Sequence, residues 1–329
     1  MPAIDPAATH VAKEIAHGRS LNGGRFHPSG EHAFVGAQDY QVWRYRLADD
    51  AKVGFNTDAW VRGMVFPNND TLVTGGYDGR LIWWPALADA PEPIRIVEAH
   101  AGWIRAVALS PDQSRIATCG NDLAVRVWDA ATGEKLMELT GHERHVYNVA
   151  FHPSSESIVA GDLIAQFRQW SLATGELQRQ FTMPTLHKYD EGFRADYGGP
   201  YCLSFSPDGA NLLGGGITEV TNAFAGVGKP AVVELNWETG EETVAHGPKG
   251  GTQGKAWGTV WHPENFVIGA SGGQGGGWLL FWKPGEKDEF HSLNLGNVAR
   301  DLDLHPDGVQ LLTVHHDGKL RISRMAPQA

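Results

Sequence analysis

The chain holds only two cysteines, Cys119 and Cys202, among 329 residues. Two isolated thiols at unrelated positions cannot staple a fold or supply a cysteine metal site, which leaves free, buried thiols in a reducing compartment as the expectation. A cytoplasmic setting follows from the same reasoning. No stretch approaches 18 consecutive apolar residues, so no spanning helix and no membrane association are expected. The first 20 residues lack a basic start followed by an apolar run, and no secretory signal is expected. Positive charge is also scarce, with 27 Lys and Arg against 38 Asp and Glu and a net charge of −11. Binding nucleic acid over a broad face needs a basic footprint, so nucleic acid is disfavoured as a partner. A phosphate loop ending in Gly-Lys-Ser/Thr is absent.

A repeat fills the space that these absences leave. An apolar residue followed by Pro, or by His/Ser-Pro, recurs seven times: Phe26-His27-Pro28, Phe66-Pro67, Leu109-Ser110-Pro111, Phe151-His152-Pro153, Phe205-Ser206-Pro207, Trp261-His262-Pro263 and Leu304-His305-Pro306. The steps between apolar markers are 40, 43, 42, 54, 56 and 43. A period in the low forties marks a repeat architecture in which one unit cannot bury its own apolar faces and must stack on neighbours. The clearest unit, residues 99–133, shows its parts. Trp103–Leu109 alternates in strand fashion, Pro111-Asp112 turns the chain, and Ile116–Thr118 is a second strand. Asn121-Asp122 turns again, Val125–Trp128 is a third strand, and Lys135–Leu139 a fourth. Four short antiparallel strands per unit make one propeller blade.

These residues resemble the WD-repeat β-propeller family, on Ala99-His100 and Trp128-Asp129 and on Gly141-His142 and Trp170-Ser171. The resemblance implies an all-β, seven-bladed propeller of four-stranded antiparallel blades in a single domain, residues 1–329. It also implies a buried hydrogen-bonded tetrad, kept whole in the third blade as His100, Thr118, Asp122 and Trp128. The second blade keeps Thr74, Asp78 and Trp84 with Thr57 in place of His. The first keeps His17 and Asp39 with Tyr45 for Trp, and the last keeps Thr313 and Asp317 with Ser323 for Trp. The fourth keeps His142 and Trp170 but has Ala160 and Ile164 at the Thr and Asp positions. The seventh unit runs out after Leu320–Ser323, so an N-terminal strand at about 10–16 is expected to complete the last blade and remove an exposed edge.

The two long steps concentrate extra residues within 182–278. They fall at Thr182–Pro200, Thr218–Pro230, His246–Lys255 and Gly272–Gly277. In the family's arrangement all four emerge on one face, and long loops in compact domains carry function or disorder. Four residues before each apolar marker stand Asn22, Arg62, Arg105, Tyr147, Tyr201, Trp257 and Arg300. The resemblance sets this ring at the mouth of the central channel on that same face. Trp60, Trp103, His145 and Lys255 come two positions earlier, and Gln38, Tyr77, Asn121 and His316 precede the turn acids. Arg, Trp and Tyr dominate binding hot spots. The candidate partner-binding set is therefore Trp60, Arg62, Tyr77, Trp103, Arg105, Tyr147, Tyr201, Trp257, Arg300 and His316.

Chemical alternatives are weaker. His27, His152, His262 and His305 share one repeat position, one per blade on the opposite face, and cannot form a common metal shell. His142-Glu143-Arg144-His145 has helical ligand spacing but falls in a loop. The His315-His316 pair is too short for a ligand set. Asp190, Glu191 and Asp196 read as solvating a long loop. No catalytic residue, metal or cofactor is assigned. The sequence points to a non-catalytic scaffold binding a protein or peptide that carries an acidic or phosphorylated group at the channel mouth. An enzyme or small-ligand receptor on the same face, and a subunit of a larger complex, stay open as alternatives.

Overall fold

A computed structural model describes residues 4–223, 225–274 and 276–328. Seven four-stranded antiparallel sheets follow one another along the described chain. Blade 3 is typical, with strands Ile104–Leu109, Arg115–Gly120, Val125–Asp129 and Lys135–Leu139 running from the axis outward. Each innermost strand touches those of the two neighbouring blades, and the innermost strand of blade 7, Ala299–Leu304, touches that of blade 1, Leu21–Phe26. The ring is closed, as expected from the period.

Apolar packing explains why the units need each other. Among the described residues a buried apolar cluster lies at every one of the seven blade junctions. Ile104 and Trp128 of blade 3 pack on Val73 and Trp83 of blade 2, for instance. Near the axis the strands converge so closely that a side chain does not fit. A Cβ on Gly23 would stand 2.2 Å from the Arg62 carbonyl oxygen, and one on Gly258 would stand 2.6 Å from the Leu302 nitrogen.

Closure uses the N-terminal strand. Thr9–Ala16 pairs antiparallel with Lys319–Met325 as the outer strand of blade 7. Ile15 joins Leu320 and Ile322 in the cluster shared with Phe26 and Val35 of blade 1. Glu14 pairs with Lys319 (2.5 Å) and Arg321 (2.9 Å). The expected strand at about 10–16 is thus present and one residue longer.

On the face opposite the mouth, the repeated histidines clasp neighbouring blades. The Nε2 of His27, His152, His262 and His305 bonds the turn carbonyls of Asn69, Gly209, Gly308 and Gly30 in the next blade, at 2.8–3.1 Å. A carbonyl only accepts, so Nε2 is the donor in each; backbone N–H groups of Ser29, Ser154 and Glu264 donate to Nδ1 of the first three, while Nδ1 of His305 lies 2.9 Å from the Asp307 carboxylate. These are structural clasps.

Two insertions differ from the loops expected of them. Around Thr218–Pro230 and Gly272–Gly277 the second and third strands are extended: Asn211–Asn222 pairs with Val227–Asn236, and Phe266–Gly273 with Gly276–Trp282. Phe224 and Gly275, within these two segments, lie outside the described residues. Thr182–Pro200 forms a hairpin, His187–Asp190 with Ala195–Gly198. Its Tyr197 packs on Ile217, Val220 and Ala223, an eighth small apolar cluster over blade 5. No helix among the described residues is long and apolar enough to cross a membrane.

Candidate functional site

One backbone irregularity builds the mouth. In six blades the register of the inner strand shifts by one residue beside Asn22, Arg62, Arg105, Tyr147, Trp257 and Arg300. Tyr201 holds the equivalent place just before Cys202–Phe205. A β-bulge leaves one residue unpaired and re-aims its side chain. Six of the seven ring residues read from the repeat are therefore bulge residues.

Their side chains meet. Tyr201 contacts Tyr147 (ring centroids 5.6 Å apart) and Trp257 (4.7 Å). Arg105 lies between Trp103 and Tyr147, its guanidinium 4.9 Å from each ring centre, and its Nε donates to the Asn121 side chain at 2.7 Å. Across the axis, the Nη2 of Arg62 donates to the carbonyls of Tyr201 (2.9 Å) and Trp257 (3.3 Å). Arg62 is thus a bolt over the channel as well as a mouth residue. Below it lies a cavity of about 80 Å3. Arg300 donates to the Asn22 amide oxygen at 3.3 Å, which also accepts from Gln38. Along the rim, Tyr40, Trp60, Tyr77 and Trp103 form a continuous aromatic ribbon, with Tyr77 stacked on Trp103 at 4.5 Å. Tyr40 and Trp103 are more than two-fifths exposed. His316 is exposed at the rim, and its backbone bonds Val298 and Ser20.

Lys255, noted in the sequence but left out of the candidate set, belongs here. Its Nζ lies 5.0–5.4 Å from the rings of Tyr197, Tyr201 and Trp257. Burial, with Arg300 nearby, brings its ammonium down to about 8. Burial and the nearby Arg62 also lower Arg300. Among the described residues no carboxylate oxygen lies within ion-pair distance of Arg62, Arg105, Lys255 or Arg300. The buried donors Trp60 Nε1, Trp257 Nε1, Arg300 Nε and Asn22 Nδ2 have no acceptor. A cluster of cations and spare donors inside a chain of net charge −11 is chemically complementary to an anionic group.

The tetrad positions hold the sheets. His100 donates from Nδ1 to Asp122 (2.8 Å), and Thr118 Oγ1 lies 2.7 Å from its Nε2 and accepts from Trp128 (2.9 Å). Burial raises the Asp122 carboxyl, but the bonds from His100 and Arg126 outweigh it and hold it at about 2. In blade 1 His17 bonds both Asp39 (3.0 Å) and Tyr45 (2.7 Å). Blade 4 corrects the reading that left its acid position to Ile164, because Asp162, two residues earlier, pairs with His142 at 2.8 Å. Blade 7 takes its imidazole from His315, bonded to Thr313 at 2.8 Å. Blade 5 has His246 against Glu234 at 3.3 Å.

Residues 53–85, 91–129 and 133–163 match the WD domain, G-beta repeat. Each match starts on, or a few residues before, the outer strand of one blade and runs into the next, the same stagger that closes the ring. The chain is a WD-repeat β-propeller.

Similarity to other WD-repeat proteins is local. A Topless-related protein of Arabidopsis thaliana is 47% identical over 58 residues, 17% of this chain and 5% of that protein. A pre-mRNA-splicing factor of Eremothecium gossypii is 41% identical over 63 residues, 18% of this chain and 15% of the factor. A nuclear distribution protein of Scheffersomyces stipitis is 25% identical over 158 residues, 44% of this chain and 30% of the relative. The matches thus span less than a third of these relatives.

Gly269-Ala270-Ser271-Gly272-Gly273 has the spacing of a hydrolase nucleophile elbow. Ser271, however, lies inside a strand, paired with Ala256 and Trp278, is 1% exposed, and its hydroxyl has no partner. A nucleophile elbow presents its serine at a sharp strand-to-helix turn, so the match carries no chemistry.

Proposed function

We propose that this WD-repeat propeller is a non-catalytic interaction scaffold whose mouth receives an acidic or phosphorylated group of a protein or peptide partner. The observation that carries this reading is the set of four cations, Arg62, Arg105, Lys255 and Arg300, gathered at one mouth without a carboxylate counter-ion. The aromatic ribbon from Tyr40 to Trp103 supplies apolar contact area beside it, of the residue types that dominate hot spots. Arg105 and Arg300 keep guanidinium N–H groups free of protein acceptors, as bidentate capture of a carboxylate or phosphate requires. The cavity of about 80 Å3 below the mouth favours a side-chain group over an enclosed metabolite, which needs a few hundred Å3. Membership of a larger assembly and a cytoplasmic setting belong to the same proposal, the latter supported by the two buried free thiols.

The test is affinity capture from the native host with wild type and with an Arg105→Ala/Arg300→Ala variant, followed by titration of the captured partner's acidic peptides. Prey that bind wild type and lose the variant support the reading. Prey retained equally by both overturn it.

A further inference from the structure

Blade 1 has an outer edge that the mouth does not use. Its outermost strand, Lys52–Asn56, pairs inward with Gln41–Tyr45 and, among the described residues, has no strand on its other side. The register decides which backbone groups are free. Thr57 N donates to the Tyr40 carbonyl and Arg46 N to the Ala51 carbonyl, so hydrogen-bonded pairs fall at 40/57, 42/55, 44/53 and 46/51. By alternation, the N–H and C=O of Lys52, Gly54 and Asn56 point outward. Those three residues line a groove of about 640 Å3 whose far wall is the loop of residues 86–94 from blade 2. Other blades leave outer edges, but this groove gives the edge of blade 1 a second wall.

That wall is fixed and acidic. Arg44, buried between the blades, donates from Nη1 to the carbonyls of Ala86 (2.9 Å) and Ala88 (3.1 Å), and Pro91 and Pro93 stiffen the loop tip. Asp58, Asp89 and Glu92 line the groove. The Asp89 side chain is fully exposed and its nearest cation, Arg44, is 3.7 Å away. Asp58 is three-fifths exposed, 3.5 Å from Arg80. Lys52 Nζ lies over the Trp43 ring at 4.7 Å and, among the described residues, makes no ion pair with these carboxylates. A row of outward backbone donors and acceptors beside an acidic wall fits one kind of occupant.

We propose that this groove takes a basic, extended peptide segment, which adds to blade 1 as a fifth strand and sets its Lys or Arg side chains against Asp58, Asp89 and Glu92. Main-chain bonds to Lys52, Gly54 and Asn56 supply the affinity and the acidic wall supplies the charge preference. The site is separate from the mouth and selects the opposite charge, so it does not depend on the function proposed above.

The probe is a fluorescent eight-residue peptide of alternating Lys and Val, titrated into the full chain by anisotropy, with amide hydrogen exchange read on the complex. Binding is expected to weaken at least tenfold in Asp89→Lys/Glu92→Lys, whose changes lie on exposed side chains, and to stay unchanged in Arg105→Ala/Arg300→Ala. The amides of Lys52, Gly54 and Asn56 are expected to gain protection on binding. Binding without that protection, or binding that survives the double charge reversal, overturns the proposal, as does no binding of the peptide at low salt.

Discussion

Arg25 of blade 1 lies 2.6 Å from Asp301 of blade 7 and joins the innermost strands of the first and last blades. The same carboxylate accepts the Gly24 amide at 3.1 Å, and two residues on Asp303 accepts the Phe26 amide at 2.7 Å. The closing junction therefore has an axial clasp as well as the outer strand Thr9–Ala16. Removing one partner of a largely buried pair strands the other charge. Asp301→Ala is expected to cost about 3 kcal/mol of stability. Asp301→Asn, which can still accept from Gly24, should cost less. Equilibrium unfolding in guanidinium checks both, and equal losses would show that the retained acceptor oxygen contributes nothing and the charge carries the clasp.

The tetrad of blade 3 gives a second prediction. Thr118 bonds both His100 and Trp128, so Thr118→Val leaves two buried ring nitrogens without partners. At about 1–3 kcal/mol for each stranded group, a loss of roughly 2–6 kcal/mol is expected in urea unfolding. Peptide binding at the mouth should not change, because neither ring reaches it.

Two buried groups set opposing pH dependences. Burial keeps His315 neutral and lowers it from 6.5 to about 4. A histidine depressed in the folded state contributes stability that is full above pH 6.5 and is lost as pH falls towards 4. Burial raises Asp303 from 3.8 to about 6, against the pull of Arg25. Its ionisation works the other way, and stability falls as pH rises from about 4 to 6. His315→Gln should flatten the acid-side loss. Asp303→Asn should gain about 1–2 kcal/mol over wild type at pH 7 and lose that gain near pH 4. Urea midpoints at pH 4, 5.5 and 7 separate the two, and an Asp303→Asn gain that persists at pH 4 would refute its assignment.

Blade number, strand order and the closing strand were legible because every blade repeats one turn, an apolar residue followed by Pro or His/Ser-Pro, at nearly constant spacing. The ring was legible for the same reason, since in six blades the residue four before the marker is the bulge. Substituted polar networks were not. In blade 4 the acid moved from the turn to the strand end, Asp162, where the spacing rule does not look. The run around Gly272–Gly277 read as a loop, yet it continues two strands. A Cβ at Gly277 would stand 1.9 Å from the Asn297 carbonyl oxygen, so the glycines answer a close approach between neighbouring segments. Nor could periodicity show Arg62 reaching carbonyls 139 and 195 residues away.

That reach separates two arginines which the repeat makes equivalent. Arg105 is held by one amide and two rings, and no backbone carbonyl depends on it. Arg105→Ala is expected to cost about 1–3 kcal/mol of partner binding, the range for a charged hot-spot contact, with melting temperature nearly unchanged. Arg62 bonds two carbonyls of blades 5 and 6 from blade 2 and lies 5.4 Å from the Trp257 ring centre. Arg62→Ala should therefore lower stability by about 1–3 kcal/mol and weaken binding together, because it frees both carbonyls and unbolts the channel. Calorimetry of unfolding beside titration of one acidic peptide distinguishes the two variants. A large drop in melting temperature for Arg105→Ala would reassign that residue to architecture, and an unaltered one for Arg62→Ala would show that its cross-channel bonds carry no weight.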